Sequence, residues 1–430
     1  MFKFLRKIIP ETSFIRLAYS WTKAILANIK YKNPSKDLRV IGITGTDGKT
    51  STVHFTAQIL ENLGLKVAMS STEEIWIAGV HNVNKTKRTT LSPFIIQNFL
   101  NEAKKKKCDV VIIEVSSHSI TQGRIFGIEF DGAVVTNISQ EHGNYHKDLE
   151  EYARVKSKLF QVVNSSPKKN KVLILNKEME FYDMFSRISP EISKTYAIED
   201  SKTNITARNL IIRENGTSFD LGRDDEYFET YLPIPGDYNV ENILAASLVA
   251  EHLGFPIQKI AEKIPLCQKV QGRLDEVDIP ADFKVFVDFA LTPGALEKLL
   301  KYASSVAERN VILVFGCTGG NHDHEKRSIM GKVASSLADY IVITEDETYG
   351  ENNEKIMKDI EIGFDKGFIA YKKISDRKEA IHFALRNACK GDIILITGMG
   401  AFQSRNNGKE EIPWNDKKEV QKYFKLKKNV

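Results

Sequence analysis

The chain has 430 residues, too many for one ordinary hydrophobic core, and its length predicts two or three domains. Hydrophobic residues (42%) and charged residues (27%) occur in proportions typical of a globular protein, and no apolar run approaches the roughly 20 residues that span a bilayer. The net charge of +5 is small for this length and argues against a nucleic-acid partner. Four distant cysteines without CxxC spacing argue against a zinc ribbon and favour a reducing compartment, so a cytoplasmic location is expected.

Residues 1–37 predict a short helical segment. Apolar residues recur there at helical spacing until "NPSKD" interrupts the pattern; they are Ile15, Leu17, Ala18, Trp21, Ile25, Leu26 and Ile29. The opening "MFKFLRKIIP" is basic and apolar, but it is a poor signal peptide because Pro10 interrupts it and no small-residue cleavage site follows. Stable membrane insertion is not expected, whereas contact with a membrane surface is left open.

Residues 38–270 predict a central α/β domain. The segments "RVIGI", "DVVIIEV", "DGAVVTN" and "KVLILN" are continuous apolar strands, which favour a parallel sheet covered on both faces. Residues 203–232 alternate in polarity like antiparallel ribbons, and a helix of good period follows them.

Residues 271–430 predict a second, Rossmann-like α/β domain. The strands "KVFVDFA", "NVILVFG", "DYIVIT" and "DIILITG" alternate there with helical segments. The boundary is placed around "KVQGRLDE". The expected architecture is therefore α/β throughout, with two domains and a cleft between them.

A glycine-rich turn follows the first strand of the central domain and precedes an amphipathic helix. It comprises Gly45, Thr46, Asp47, Gly48, Lys49, Thr50 and Ser51. Glycines let backbone N–H groups turn inward, the helix N-terminus adds the positive end of a dipole, and the lysine adds a full charge. The general P-loop has a glycine where this chain has Ile43, so the match is to a GxxGK[ST] variant. A turn without a ligand is the alternative, but the order of strand, turn, lysine, hydroxyl and helix favours an ATP site.

Glu114 ends the strand "DVVIIEV", and ligands of open parallel sheets bind at the carboxyl ends of strands. A carboxylate at that place can hold the Mg²⁺ that bridges ATP phosphates, together with Thr50. The alternative is that Glu114 only caps the helix that follows it. As a magnesium ligand it is expected to face a cleft rather than lie in the core.

The order and spacing of further motifs resemble the Mur ligase family, closest to the MurE-type enzymes that extend UDP-N-acetylmuramoyl-dipeptide in peptidoglycan synthesis. The matching stretches run from about residue 38 to 418 and include "TGTDGKTST", "TNIS", "GDYNVENILAA", "QGRLDEV" and "KRSIMG". The resemblance implies an ATP-dependent ligase: a substrate carboxylate takes the γ-phosphate of ATP to give an acyl phosphate, which an amino-acid amine then attacks.

The resemblance also implies roles for individual residues. His142 matches a histidine of a second metal site, and Lys156 matches a lysine that carries a carbamate and would help bind a second Mg²⁺. The alternative for Lys156 is an exposed helix lysine, and His146 is interpreted equally well as a packing residue. Asn242 is expected to meet the adenine, and Arg273 and Asp288 to approach the nucleotide from the C-terminal domain.

A third set of positions matches family contacts to the muramoyl dipeptide: Thr89, Thr90, Ser116, Gln122 and Arg124. Arg124 suits an anionic or carbonyl-rich ligand because of its rigid fork of donors. For the two threonines, a helix cap before "SPFIIQNFL" is the alternative.

Four features depart from the family pattern. Only some 38 residues precede the P-loop strand, too few for the usual UDP-binding domain, so another substrate handle or a partner chain is left open. The amino-acid pocket reads "DETY" (Asp346 to Tyr349) instead of DNPR, and His322 and Phe402 stand where an arginine and a glutamate are usual. Leu291 replaces a histidine, and Glu141 replaces an aspartate. The changes in the amino-acid pocket argue against diaminopimelate as the added residue.

Three other functions are left open by these departures. The first is a MurT-type amidotransferase subunit, whose four-cysteine ribbon is missing here. The second is a folylpolyglutamate-type ligase. The third is a nucleotide-binding paralogue without catalytic activity.

Overall fold

The computed structural model describes residues 13–139, 145–320 and 324–427, which divide into two compact units. The first unit comprises the described residues up to Gln268, and the second begins at Lys269. This division lies close to the boundary expected from the sequence, and the exact domain limits stay a prediction. Within the described ranges, no helix is both long and apolar enough to cross a membrane.

The first unit contains eleven strands in one sheet. Its helices are α1 (Phe14–Tyr31), α2 (Lys49–Asn62), α3 (Pro93–Lys105), α4 (Ser117–Thr121), α5 (Leu149–Asn164), α6 (Tyr182–Ser186), α7 (Asp237–His252) and α8 (Ile257–Ala261). Its strands are β1 (Arg39–Thr44), β2 (Val67–Ser70), β3 (Glu74–Ile77), β4 (Val80–Val83), β5 (Val110–Glu114), β6 (Gly132–Val135), β7 (Val172–Asn176), β8 (Ser193–Ile198), β9 (Ile205–Arg213), β10 (Gly216–Arg223) and β11 (Glu226–Leu232).

The strand order of this sheet is β11-β10-β9-β8-β7-β6-β1-β5-β2-β3-β4. The run from β9 to β2 is parallel, whereas both edges, β9-β10-β11 and β2-β3-β4, are antiparallel. Strands β1, β5, β6 and β7 are buried along nearly their whole length, which is why they read as continuous apolar runs. The parallel sheet and the antiparallel pairing within residues 203–232 confirm those two predictions.

Helix α1 confirms the predicted N-terminal helix, while residues 1–12 lie outside the described part of the chain. Ser13 caps the N-terminus of α1, and a 3₁₀ turn (Pro34–Asp37) connects the C-terminal end of the helix to β1. The helix packs its small residues Ala24 and Ala27 against the unit.

The second unit has a six-stranded sheet of order β12-β13-β17-β14-β15-β16, parallel except for the β12–β13 pair, and a separate hairpin, β18–β19. Its strands are β12 (Asp275–Glu276), β13 (Lys284–Asp288), β14 (Val311–Phe315), β15 (Tyr340–Ile343), β16 (Tyr371–Lys373), β17 (Ile393–Thr397), β18 (Ser404–Asn406) and β19 (Glu411–Pro413). Its helices are α9 (Pro293–Val306), α10 (Glu325–Leu337), α11 (Asn353–Glu361), α12 (Arg377–Asn387) and α13 (Asp416–Lys427). Hydrophobic clusters cover both faces of the sheet, and the fold class predicted from the sequence is confirmed.

Candidate nucleotide and magnesium site

The glycine-rich turn joins the carboxyl end of β1 to the N-terminus of α2, at the centre of the parallel sheet. Gly45 and Gly48 have φ angles of +146° and +78°, which residues with a side chain rarely adopt. A Cβ on Gly45 would lie 1.9 Å from Thr136 Oγ1, and one on Gly48 would lie 2.4 Å from Asn242 Oδ1. Both glycines are therefore required by conformation and by space.

The segment that follows β6 holds the turn in shape. Asn137 accepts from the Thr46 N–H through its backbone carbonyl and from the Asp47 N–H through its side chain, both at 2.9 Å. Thr136 Oγ1 donates to the Asp47 carbonyl at 2.6 Å. Lys49 Nζ donates to the Thr46 carbonyl at 2.6 Å, which places the ammonium group over the turn. The cation and the first amides of α2 thus lie at one place, an arrangement suited to a phosphate chain.

A buried carboxylate lies beside the turn. Glu114 is 1% exposed and accepts hydrogen bonds from Thr50 Oγ1 at 3.1 and 3.2 Å and from the Thr72 N–H at 2.7 Å. Helix α4 is capped instead by Ser116, whose side chain accepts from the Ser119 N–H, so the helix-cap interpretation of Glu114 was wrong. The expectation that Glu114 faces an open cleft was also wrong, because its neighbours enclose it.

Thr72 was missed by the sequence analysis. Its hydroxyl lies 3.1 and 3.2 Å from the two carboxylate oxygens of Glu114, and its N–H is the closest donor to that group. The signal was the hydroxyl run "SST" just after β2, since β2 pairs with β5 and both strands end at the same sheet edge.

Lys156 reaches the turn from helix α5. The residue is 1% exposed, its Nζ donates to the Gly45 carbonyl at 2.6 Å, and the same atom lies 4.4 Å from the centre of the Tyr152 ring. The interpretation as an exposed helix lysine was therefore wrong. His142 lies outside the described residues. His146 is buried, with its ring centre 5.1 Å from that of Tyr152 and 6.2 Å from that of His118.

Four of the positions expected to contact the dipeptide lie together beyond Glu114. Thr90 Oγ1 donates to the Glu114 carbonyl and accepts from the Ser116 N–H, each at 2.9 Å. Arg124 donates to the Thr90 carbonyl at 3.0 Å and to Gln122 Oε1 at 2.6 and 2.9 Å.

The fifth of these positions, Thr89, lies close to the carboxylate group itself. Its hydroxyl accepts from Thr72 Oγ1 at 3.2 Å. Ser92 occupies the N-cap position of helix α3, so neither threonine is the cap residue and the helix-cap interpretation of the two threonines was wrong. The structure thus brings all five predicted dipeptide positions to the region around Glu114.

Asn242, on helix α7, packs against the phosphate turn in the same unit. Its Oδ1 accepts from Thr52 Oγ1 at 3.0 Å, and the side chain occupies the space that a Cβ on Gly48 would need. Ser51 is buried in the first turn of α2.

In the second unit, Arg273 and Asp288 lie near each other at the end of β13. Asp288 Oδ2 accepts from the Leu274 N–H at 2.6 Å, and the Arg273 guanidinium lies 4.6 Å from the centre of the Phe289 ring. Phe402 makes an edge contact with Phe289 at 5.0 Å between ring centres.

The "DETY" segment forms a largely buried acidic loop of the second unit. Asp346 Oδ1 accepts from the Glu347 N–H at 2.5 Å, and burial raises the pKa of Asp346. Asp346 Oδ2 has no hydrogen-bond partner among the described residues. The Tyr349 hydroxyl donates to Glu347 Oε2 at 2.9 Å, and burial together with Glu347 raises the pKa of that tyrosine. His322 lies outside the described residues.

The donor set around the phosphate turn fits Mg²⁺. The Thr50 hydroxyl and the Glu114 carboxylate supply hard oxygen ligands beside a lysine and a helix N-terminus, the combination that a magnesium–nucleotide complex requires. Among the described residues, a single group of three His, Cys, Asp or Glu side chains has metal-ligand spacing: His324, Glu351 and Asp359. Arg327 donates to both carboxylates of that group at 2.7 to 2.9 Å, so a guanidinium already neutralises them.

Family models match both units. Residues 43–250 match the Mur ligase middle domain, and residues 272–400 match the Mur ligase glutamate ligase domain. One curated relative, the UDP-N-acetylmuramoyl-L-alanyl-D-glutamate--2,6-diaminopimelate ligase of Caldanaerobacter subterraneus subsp. tengcongensis, is 35% identical over 397 residues. That alignment covers 92% of this chain and 80% of the relative.

Solved structures agree with this match. A UDP-N-acetylmuramoyl-L-alanyl-D-glutamate--2,6-diaminopimelate ligase superimposes with a TM-score of 0.62 at 30% identity, covering 91% of this chain and 79% of that one. Mycobacterium tuberculosis folylpolyglutamate synthase complexed with ADP gives a TM-score of 0.71, covering 88% of this chain and 92% of that one. At 17% identity, the second match shows a shared fold alone.

Proposed function

This chain belongs to the Mur ligase family of ATP-dependent ligases, and we propose that it adds an amino acid to UDP-N-acetylmuramoyl-dipeptide in peptidoglycan synthesis. The observation that carries the proposal is that Glu114 and Lys156 are both buried beside the phosphate turn. The chain that contains this arrangement is 35% identical to a ligase named for that acceptor. Substrates of this kind are small molecules.

ATP binds in this proposal through the phosphate turn. Residues Gly45 to Ser51 would hold its phosphates through the amides at the N-terminus of α2 and the ammonium of Lys49, while Asn137 holds the Thr46 and Asp47 amides and so fixes the turn. Asn242 packs against Gly48 of the turn. We propose that it also contacts the adenine base of ATP. Arg273 and Asp288 are proposed as nucleotide contacts from the second unit.

Thr50 and Glu114 are the proposed holders of Mg²⁺, which would supply charge neutralisation to the phosphoryl group. The Thr72 hydrogen bonds orient the carboxylate of Glu114 next to the turn. Lys156 is proposed to carry a carbamate and to share a second Mg²⁺ with His142. Its nitrogen already lies 2.6 Å from the Gly45 carbonyl, so a carbamate formed there would lie at the phosphate turn.

Thr89, Thr90, Ser116, Gln122 and Arg124 are proposed to hold the dipeptide end of the acceptor. Because Thr90 bonds to both the Glu114 carbonyl and the Ser116 amide, these residues and the metal ligand are positioned by the same sheet edge. These residues would therefore bring the acceptor carboxylate close to the metal ligand and the phosphate turn, and phosphoryl transfer depends on such proximity.

The amine substrate is the point at which this chain differs from its relatives. They are named for diaminopimelate, which carries two carboxylates, whereas Tyr349 stands where the family arginine would bind one of them. The loop that includes Asp346 contributes carboxylates rather than cations. We therefore expect an amino acid without a second carboxylate.

The test incubates the full chain with ATP, Mg²⁺, UDP-N-acetylmuramoyl-L-alanyl-D-glutamate and a set of amino acids that includes diaminopimelate and lysine. Mass spectrometry should show one extended product, with ADP and phosphate released in equal amounts. If the acceptor carboxylate is labelled with ¹⁸O, one labelled oxygen should appear in the phosphate, because the acyl phosphate transfers it. Phosphate without label would overturn the mechanism.

The alternative functions predict different outcomes. Phosphate release stimulated by a folate and glutamate would indicate a folylpolyglutamate-type ligase, and release that requires ammonia or a glutaminase would indicate an amidotransferase subunit. The described cysteines do not favour the latter, because Cys108, Cys267 and Cys317 are buried apart in the core. Tight ATP binding without ADP formation under every condition would identify a non-catalytic paralogue.

A further inference from the structure

Helix α1 turns its large apolar side chains away from the unit on which it packs. Phe14 is 86% exposed and Ile29 is 69% exposed. The other large apolar residues on this exposed face are Ile15, Tyr19, Trp21, Ile25 and Leu26. At 3.6 residues per turn, these side chains cover about 160° of the helix circumference. A surface helix normally buries such a face.

The orientation of α1 is fixed by its contacts. Ala24 and Ala27 pack inward, and the Trp21 indole donates to the Thr121 carbonyl at 3.2 Å. The Trp21 ring also meets Phe126 edge-on at 5.5 Å between centres. Trp21 is therefore held partly by the unit, whereas the other large apolar side chains of this face lie outside that contact.

Basic residues border this face. Arg16, Lys23 and Lys30 follow one another along one side of the helix, and Lys23 Nζ lies 4.3 Å from the centre of the Tyr19 ring. Residues 1–32 contain seven Lys and Arg and a single acidic residue, Glu11. The segment therefore carries a charge of +6 in a chain whose net charge is +5, so the remainder is close to neutral.

We propose that α1 is a peripheral membrane-binding element that inserts its exposed apolar face into the headgroup region of an anionic bilayer. An apolar face flanked by Lys and Arg is the pattern of helices that lie in the membrane interface. Each cation near such a surface adds to the attraction for anionic lipid. A second copy of the chain is a poorer occupant, because a two-fold pairing of this face would bring two segments of +6 together. The proposal does not depend on the ligase substrate.

The test measures cosedimentation of the full chain with vesicles of phosphatidylcholine alone and of phosphatidylcholine with 30% phosphatidylglycerol. We expect partitioning at least tenfold stronger onto the anionic vesicles, weakened in 0.5 M salt. Ile25→Glu with Ile29→Glu should lower that partitioning at least tenfold. The matched control, Ile362→Glu with Ile369→Glu, changes two isoleucines of the second unit that are even more exposed than the α1 pair, and it should leave the partitioning within twofold.

Lys23→Gln with Lys30→Gln tests the electrostatic part without altering the apolar face. This variant should lose binding to the anionic vesicles while keeping the thermal unfolding temperature of the parent. Equal binding to both vesicle types, or an equal loss in the control variant, would overturn the proposal. The proposal would also be overturned if the chain bound no vesicles and instead self-associated in sedimentation equilibrium, with the α1 variant abolishing that self-association.

Discussion

Lys156 joins helix α5 to the phosphate turn by one buried hydrogen bond to the Gly45 carbonyl. Burial against Tyr152 leaves this ammonium group little contact with water. The proposed carbamate would reverse the sign of the charge at the same place. The chemistry of this single nitrogen therefore decides whether the turn faces a cation or a metal-binding anion.

We expect Lys156→Ala to abolish ligation, lowering kcat/KM at least 1000-fold, and added bicarbonate should not restore it. The matched control is Lys158→Ala, because Lys158 is exposed two residues further along α5. Steady-state phosphate release measures both variants, and circular dichroism checks that they fold. Activity unchanged in Lys156→Ala would remove the carbamate from the mechanism.

Glu114 offers a second test at this scale. Glu114→Gln keeps the size of the side chain and can still accept from the Thr72 N–H, but it removes the charge. We expect kcat/KM to fall at least 100-fold, equivalent to about 2.7 kcal/mol, with a rise in the Mg²⁺ concentration needed for half-maximal rate. Thr72→Val, which deletes only the hydroxyl donor, should produce a smaller loss. A Mg²⁺ dependence identical to that of the parent would exclude Glu114 as a ligand.

At the residue scale, the positions of side chains at a turn or a strand end were easier to predict from the sequence than contacts that depend on which strands pair. The proximity of Lys49, Thr50 and Glu114 could be predicted because a turn after a strand and a strand end have defined positions, while the roles of these residues stay predictions. Thr72 was missed because its contact with Glu114 exists only once β2 pairs with β5. The enclosure of Glu114 was missed for the same reason.

The phosphate turn as an element depends on glycines that tolerate no side chain. Gly48→Ala would place a Cβ 2.4 Å from Asn242 Oδ1 at a φ of +78°, so the Asn242 side chain or the turn must shift. Gly64→Ala is a control with the strain but without the clash, since φ is +93° and nothing lies within 4 Å. Isothermal titration with ATP should show at least tenfold weaker binding for Gly48→Ala and unchanged affinity for Gly64→Ala. Both should lose about 1–2 kcal/mol of stability from backbone strain.

Helix α1 illustrates what periodicity leaves undecided at the element scale. The spacing of its apolar residues predicted the helix correctly, but a stripe does not say which surface it meets. The structure buries Ala24 and Ala27, and Gly123 and Gly127 leave space for Trp21 and Asn28 of this helix to approach the unit closely. The parallel sheets were predictable, since continuous runs of β-branched residues are typical of strands that are buried on both faces of a parallel sheet.

At the scale of the whole molecule, each unit has its own hydrophobic clusters, so acid can destabilise one unit before the other. In the second unit, the side chain of Arg327 is fully buried and donates twice to Glu351 and once to Asp359. Hydrogen bonding to Arg327 lowers the pKa of Glu351 to about 2. A carboxylate with a lowered pKa stabilises the fold above its unfolded-state pKa, and that contribution is lost as the pH falls.

We therefore expect the second unit to lose on the order of 2–3 kcal/mol of stability between about pH 5 and pH 2 through this group. Glu351→Gln should be less stable at pH 7 and should flatten the pH dependence in that window. Glu262→Gln, at an exposed ion pair of the first unit, is the control and should change little. Trp414 lies in the second unit, so urea unfolding followed by its fluorescence in a Trp21→Phe, Trp76→Phe background reports that unit. An unaltered pH profile in Glu351→Gln would show that the Arg327 cluster does not control the acid stability of the second unit.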